Sequence, residues 1–133
     1  EAKDLAEAVE CAKDQGKFWE LQSHWYELTG TVKRRDMARN AEKVGVKDVK
    51  AFQACMDKNK YRDKVEKDIS EGAKMGIEGT PSFIVGLYNT KAGTVTGEMF
   101  SGAAPEEEFV RKINKYIALS EQGDSLNTAT VNK

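Results

Sequence analysis

The sequence predicts an α/β chain that is mostly helical: five helices, then a β-hairpin, then one closing helix. Three observations give this order. Apolar residues recur at helical spacing through residues 1–75. The pattern breaks at Gly76, where Gly-Ile-Glu-Gly-Thr-Pro is dense in breakers. Two short β-prone runs then flank a turn-rich segment.

Each element can be justified in turn. Residues 2–15 read as a helix with Leu5, Val9 and Ala12 on one stripe, interrupted by Gly16. Phe18, Leu21, Trp25 and Leu28 carry a second helix to about Thr29-Gly30, where glycine suits a C-terminus because it takes positive φ. A third runs from Val32 to Val44 with Met37, Ala41 and Val44 inward, and Gly45 ends it. A fourth spans Lys47 to Asp57 with Val49, Phe52 and Cys55/Met56 inward. A fifth spans Tyr61 to Met75 with Val65, Ile69 and Ala73 inward. Gly72 within it costs roughly 1 kcal/mol of helix propensity against Ala and leaves room for a close helix contact.

Beyond the breakers, Ser82-Phe83-Ile84-Val85-Gly86-Leu87 and Thr94 to Phe100 read as strands joined through Asn89 to Gly93, a loop longer than a two-residue turn. Pro105-Glu106-Glu107-Glu108 starts a helix well, because proline fits the first turn and acids favour the positive end of the helix dipole. Phe109, Ile113, Tyr116 and Ile117 form its apolar stripe. Residues 121–133 are expected to be a flexible tail.

Composition bounds the function. The 133 residues suffice for a real core, since a domain of this size buries roughly two-thirds of its unfolded surface. The net charge of −1 gives no global field for nucleic acid or an anionic membrane. Residues 1–30 are net −4 and residues 31–75 net +5, but acids alternate with bases, as on solvated helix faces. No stretch approaches the ~18 apolar residues of a membrane span. Residue 1 is Glu rather than Met, and no signal-peptide pattern is visible, so a processed or trimmed chain is expected.

Chemistry-bearing residues are few. His24 is the only histidine, and the two cysteines are 44 positions apart; neither has partners at ligand spacing, so no metal and no cofactor are expected. His24 reads as a surface or half-buried helix residue. Trp19, Trp25 and Tyr26, at helical spacing, read as core more than as a stacking platform. Cys11 and Cys55 both lie on or near apolar stripes. They read either as buried thiols acting as small hydrophobes or as a redox pair, the latter without a helix-start position or a histidine to activate it.

The hairpin poses a physical problem. Two strands alone are marginal in water, and an apolar edge invites pairing. The hairpin is expected to belong to a larger sheet, with self-association of this chain through the hairpin edge.

Thr80-Pro81 at the start of a strand is where a proline is tolerated, because it removes a ladder donor. Gly76-Ile77-Glu78-Gly79-Thr80-Pro81-Ser82-Phe83-Ile84-Val85-Gly86, preceded by Val65-x-x-Asp68-x-x-x-Gly72, resembles the DsbA-like branch of thioredoxin-fold oxidoreductases. So do Cys11-Ala12-Lys13-Asp14-Gln15-Gly16-Lys17-Phe18-Trp19, Phe52-Gln53-Ala54-Cys55-Met56, and Phe100-Ser101-Gly102-Ala103-Ala104-Pro105 leading into Phe109. The four occur in the family's order over about Ala8 to Ile117.

The resemblance implies a thioredoxin-like, DsbA-type fold, incomplete in this chain. Residues 1–75 would be the helical insertion and 76–120 the C-terminal half of the thioredoxin core, with its cis-proline loop, hairpin and helix. It implies thiolate–disulfide exchange on cysteine-containing polypeptides, through a mixed disulfide, with a protein partner that recycles the enzyme. Gly79, Thr80 and Pro81 would bind substrate through backbone groups; Pro81 lacks an N–H, so pairing falls to Thr80 and its neighbours.

The family's active-site Cys-x-x-Cys is not in this sequence. The chain would begin after it, carry no catalytic residue and be inactive alone. Relatives with this Cys pair also imply a structural disulfide between Cys11 and Cys55, which closes a loop of ~45 residues and adds roughly 3–4 kcal/mol in an oxidising, periplasmic or otherwise extracytoplasmic setting. Two alternatives remain: a non-catalytic peptide-binding or scaffold module of the same fold, and a mainly helical interaction protein in which Gly-Thr-Pro is incidental.

Overall fold

The structure is a computed structural model, and residues 1–123 are described. Six α-helices and two strands are assigned among them: α1 (Ala2–Lys13), α2 (Phe18–Glu27), α3 (Met37–Lys43), α4 (Val49–Asp57), α5 (Arg62–Lys74), β1 (Ser82–Asn89), β2 (Thr94–Ser101) and α6 (Glu106–Gly123). A 3-10 turn, Arg34–Asp36, precedes α3. The chain divides into two compact units, Glu1–Met75 and Gly76 onward.

The helical unit closes on a core of Ala8, Val9 and Ala12 from α1, Leu21 from α2, Met37 and Ala41 from α3, and Phe52 and Met56 from α4. Its helix ends follow one rule. Beyond α1, Gly16 takes φ +69° while its N–H reaches the Lys13 carbonyl and that of Lys17 reaches Ala12. Beyond α3, Gly45 (φ +97°) and Val46 repeat the pattern onto Glu42 and Ala41. Beyond α4, Asn59 (φ +50°) and Lys60 repeat it onto Met56 and Cys55. These paired bonds satisfy carbonyls that a helix end leaves open, and the left-handed residue is one that tolerates positive φ. The turn beyond α3 also drives Val46 into the core, a position that helical spacing does not reveal.

The helix boundaries depart from the expected ones for tertiary reasons. The third helix was expected from Val32. Instead, the Val32 N–H bonds to the Glu1 carboxylate at 3.0 Å. Arg34 donates to Asp4 at 2.6 Å, to the Asn59 side chain at 2.8 Å and to the Met56 carbonyl. These long-range bonds fix residues 32–34 against α1 and the end of α4, so the α-helix starts only at Met37. The second helix stops at Glu27, with Leu28 extended, short of Gly30.

Inward faces differ as well. Of the three residues expected inward on α5, only Val65 is buried; Ile69 is 49% exposed and Ala73 is exposed. α5 is held instead by polar contacts to α1. Arg62 meets the buried Glu7 carboxylate at 2.8 Å, and Lys64 meets Glu10 at 2.9 Å. A buried carboxylate needs such a partner, and removing one partner costs far more than the pair contributes.

In the second unit β1 and β2 pair antiparallel from Ser82↔Ser101 to Asn89↔Thr94. The Asn89 side chain accepts from the Lys91 and Ala92 N–H groups and so closes the loop between them. α6 covers one sheet face. Phe83, Phe100 and Phe109 meet with ring centroids 4.8–5.4 Å apart. Glu98 accepts from Lys112 (2.5 Å), Lys115 (2.9 Å) and Tyr116 (3.0 Å). These three donors, in that order, hold the Glu98 carboxyl down to about 2.

Gly86 and Gly97 face each other across the ladder. A Cβ on Gly86 would lie 2.4 Å from the Thr96 carbonyl oxygen, and one on Gly97 2.1 Å from that of Val85. Only glycine fits this close approach.

The expected stripe of α6 is corrected in part. Tyr116 is buried and Phe109 half-buried, but Ile113 and Ile117 are nearly half exposed, with Val110 beside them. Phe109, Lys112 and Tyr116, at i, i+3 and i+7, are the positions that meet the sheet; 113 and 117 fall one step round the helix. The helix also continues to Gly123, three residues into the expected tail; residues 124–133 of that tail lie outside the described residues.

Candidate functional site

Gly76, at φ +80°, turns the chain out of the region after α5, and Gly79, Thr80 and Pro81 follow, all exposed. Pro81 comes immediately before β1, and the Thr80–Pro81 peptide is cis. The sequence thus places its three substrate-binding candidates side by side on the surface of the second unit.

The loop is tied to the open end of the hairpin at two points. The Ser82 hydroxyl donates to the Gly79 carbonyl at 2.6 Å and lies 2.9 Å from the Ser101 hydroxyl. The Gly102 N–H donates to the Pro81 carbonyl at 2.8 Å, with Gly102 itself at φ +93°. Between these tethers, the Thr80 N–H and C=O make no hydrogen bond among the described residues. An exposed, unpaired donor and acceptor on a held backbone can pair with an extended chain in the manner of an added strand. They cannot cleave or form a covalent bond.

The cysteines lie elsewhere, in the helical unit. Cys11 near the end of α1 and Cys55 near the end of α4 form a disulfide with Cα atoms 5.9 Å apart. Both are buried, 2% and 8% exposed. Neither stands at a helix N-terminus, where a thiolate would be stabilised; the bond ties the end of α1 to the end of α4. The reading of two free thiols is corrected, because both cysteines are in this bond. Beside the staple, the Gln15 amide clamps the Asp48 backbone with two bonds of 2.9 Å, and Asp48 caps α4 by accepting from the Ala51 N–H.

Asp14 completes this corner. Burial would raise its carboxyl, but hydrogen bonds from Lys60 and Tyr61 outweigh that and hold it below the usual carboxylate range. The phenol of Tyr61 is raised in turn, chiefly because it donates to Asp14.

His24 is half-buried, and its Nε2 lies 2.9 Å from the Asn40 Oδ1. Asn40 spends its own amide N–H on the Asp36 carbonyl, so Nε2 of His24 is the donor. Among the described residues no group of three or more His, Cys, Asp or Glu is placed to hold a metal. The aromatic residues divide: Trp25 packs against the core, whereas Trp19 and Tyr26 are 74% and 81% exposed. Expecting all three in the core is therefore corrected. Trp19 and Tyr26, seven residues apart, share the outward side of α2, and Trp25 lies on the side that packs against the core.

Sequence reasoning missed Ser82, Ser101 and Gly102, the residues that hold the candidate loop. Their pairing follows from strand register, and a Ser at each end of a hairpin is too common to signal it beforehand.

Helical unit, breaker loop, hairpin and closing helix, in this order, are the parts of a thioredoxin-type fold with a helical insertion. A family model described as DSBA-like thioredoxin domain matches residues 2–114, and the chain belongs to that family. Among curated proteins it is similar to the Na(+)/H(+) antiporter NhaA of Herminiimonas arsenicoxydans, with 30% identity over 99 residues, 70% of this chain and 16% of that protein. It is similar also to the Na(+)/H(+) antiporter NhaA 1 of Salinispora arenicola (29% over 97 residues, 68% of this chain and 15% of that protein). The NhaA 3 of Salinispora tropica shows 28% over 97 residues with the same shares. The chain thus spans about a sixth of the length of the curated relatives it matches. No solved structure matches. No helix among the described residues is long and apolar enough to cross a membrane.

Proposed function

We propose that these residues act in thiol–disulfide exchange on protein cysteines, as the part that docks the substrate backbone. The nucleophilic dithiol is supplied from outside residues 1–133. In this reading residues 1–75 are the helical insertion and 76–120 the second half of the thioredoxin core. The observation that carries it is the exposed, tethered Gly79-Thr80-Pro81 loop in a family of thiol–disulfide oxidoreductases, in a chain whose two cysteines are already bonded to each other. The substrate is a cysteine-containing polypeptide, and a recycling redox protein completes the cycle. The buried disulfide favours an oxidising, extracytoplasmic or periplasmic location. The antiporter activity in the relatives' names is not carried over, because the match covers about a sixth of each.

The test compares residues 1–133 with the product of the reading frame extended upstream, in the reduction of insulin by dithiothreitol. The expected result is no acceleration by residues 1–133 and acceleration by the longer product. Acceleration by residues 1–133 alone would contradict the reading.

A non-catalytic peptide-binding or scaffold module is favoured by one observation: the loop is exposed and tethered with no cysteine near it in the sequence. Peptide binding by a longer product that accelerates nothing would select this reading.

Self-association is part of the proposal. Ile84, Tyr88, Val95 and Met99 lie on the sheet face away from α6 and are 41–64% exposed. An apolar two-stranded sheet of this kind recruits further strands. Sedimentation should show dimers or larger species at micromolar concentration; a strictly monomeric, folded chain would contradict it.

A further inference from the structure

The two serines at the open end of the hairpin carry a role that follows from counting protons. A hydroxyl has one hydrogen to donate. The Gly79 carbonyl can only accept, so at 2.6 Å the Ser82 hydrogen goes to it. The contact of 2.9 Å between Ser82 and Ser101 then has one polarity: Ser101 donates and Ser82 accepts. The result is a directed chain, Ser101 O–H to Ser82 Oγ, Ser82 O–H to Gly79 C=O. Each link polarises the next and strengthens it.

The chain has an anchored end and a free end. Ser82 and Ser101 are cross-strand partners, so the ladder fixes the position of both hydroxyls. Gly79 lies outside the ladder, has no side chain and is exposed. Without a tether its peptide can rotate, since glycine is the least restricted residue. The second tether, Gly102 N–H to Pro81 C=O, acts on the other side of Thr80. With both carbonyls held, the Gly79–Thr80 and Pro81–Ser82 peptide groups are fixed before any partner arrives, and the Thr80–Pro81 peptide is bracketed between them. Binding to a backbone already in its bound conformation avoids the cost of ordering it.

We propose that Ser82, oriented by Ser101, is a positioning residue for substrate: it holds the Gly79 carbonyl so that the Thr80 backbone is presented to an extended polypeptide. The inference rests on the docking role given to this loop under Proposed function. Ser82 touches no substrate itself and acts through Gly79. The competing possibility is that the serine pair only fastens the end of the hairpin, which would show in stability and not in binding.

The experiment measures binding of a fluorescein-labelled extended peptide with one S-methylated cysteine to the 133-residue chain by anisotropy, alongside thermal unfolding of each variant. Ser82→Ala should weaken binding about five- to tenfold, the effect of losing one well-placed hydrogen bond, with little change in unfolding. Ser82→Thr keeps the hydroxyl and should restore most of the affinity. Ser101→Ala should weaken binding less, because Ser82 can still donate to Gly79. Ser82→Ala with unchanged affinity beside a wild-type chain that binds would overturn the positioning role alone. Equal losses in Ser82→Ala and Ser82→Thr would overturn it too, since hydroxyl chemistry would then be irrelevant. No binding by the wild-type chain would overturn the docking reading and this inference with it.

Discussion

The two units of this chain stabilise themselves in opposite ways. The helical unit gathers one apolar core, although Trp19, Tyr26 and Ile69 stay outward, closes three helix ends with left-handed turns and ties α1 to α4 with a disulfide. The second unit has Tyr116 as its one large buried side chain among the described residues. It depends on a cluster of three phenylalanines and on Glu98 with its three donors. It also leaves apolar residues outward on the free face of the sheet and on α6. The difference teaches where binding is to be sought. A unit built round a closed core serves as a scaffold, and the one that leaves backbone donors and acceptors open on a tethered loop is where we look for an interface.

Breaking the staple tests the first half of this contrast. Replacing Cys11 and Cys55 by Ala together should destabilise the helical unit by about 4 kcal/mol, read by denaturant unfolding, because the unfolded chain regains the freedom of a loop of 44 positions. The same loss should follow from dithiothreitol acting on the wild type. Leu21→Ala, at a fully buried core position, should cost about 3 kcal/mol, with exchange-protected amides in residues 1–75 losing protection.

In the second unit the largest single effect should come from the glycine pair. Gly97→Ala places a methyl 2.1 Å from the Val85 carbonyl oxygen and should cost about 2 kcal/mol, seen as lost amide protection along β1 and β2. The smallest effect is a pH dependence. The folded-state value of Glu98, about 2, lies below the ordinary 4.5. Its contribution to stability is therefore full above pH 4.5 and disappears as pH falls toward 2. Glu98→Gln should flatten the pH dependence of unfolding in that window and leave the profile above it unchanged.

Much of the fold was legible because its signals are local. Helical spacing located the helices, Gly16 and Gly45 marked ends that the structure closes with positive φ, and Asn89 to Gly93 marked the hairpin loop. What was not legible depends on residues far apart in sequence. Arg34 delays α3 by binding Asp4 and Asn59, and nothing beside Arg34 announces that. Ile69, Ile113 and Ile117 continue apolar stripes but stay nearly half exposed; spacing says which residues share a helix side, and packing alone decides how far that side is covered. The candidate loop was legible as three adjacent residues with a family resemblance. The hydroxyl chain that holds it required the register Ser82↔Ser101, which exists only in the folded hairpin.

The measurement that tests the account most directly is amide hydrogen exchange by mass spectrometry with and without the S-methylated cysteine peptide. New protection is expected in the segment 76–82 and the neighbouring end of β2, with residues 1–75 unchanged. Protection gained in the helical unit instead, or no protection in 76–82 under conditions where the peptide is bound, would contradict the assignment of docking to the Gly79-Thr80-Pro81 loop.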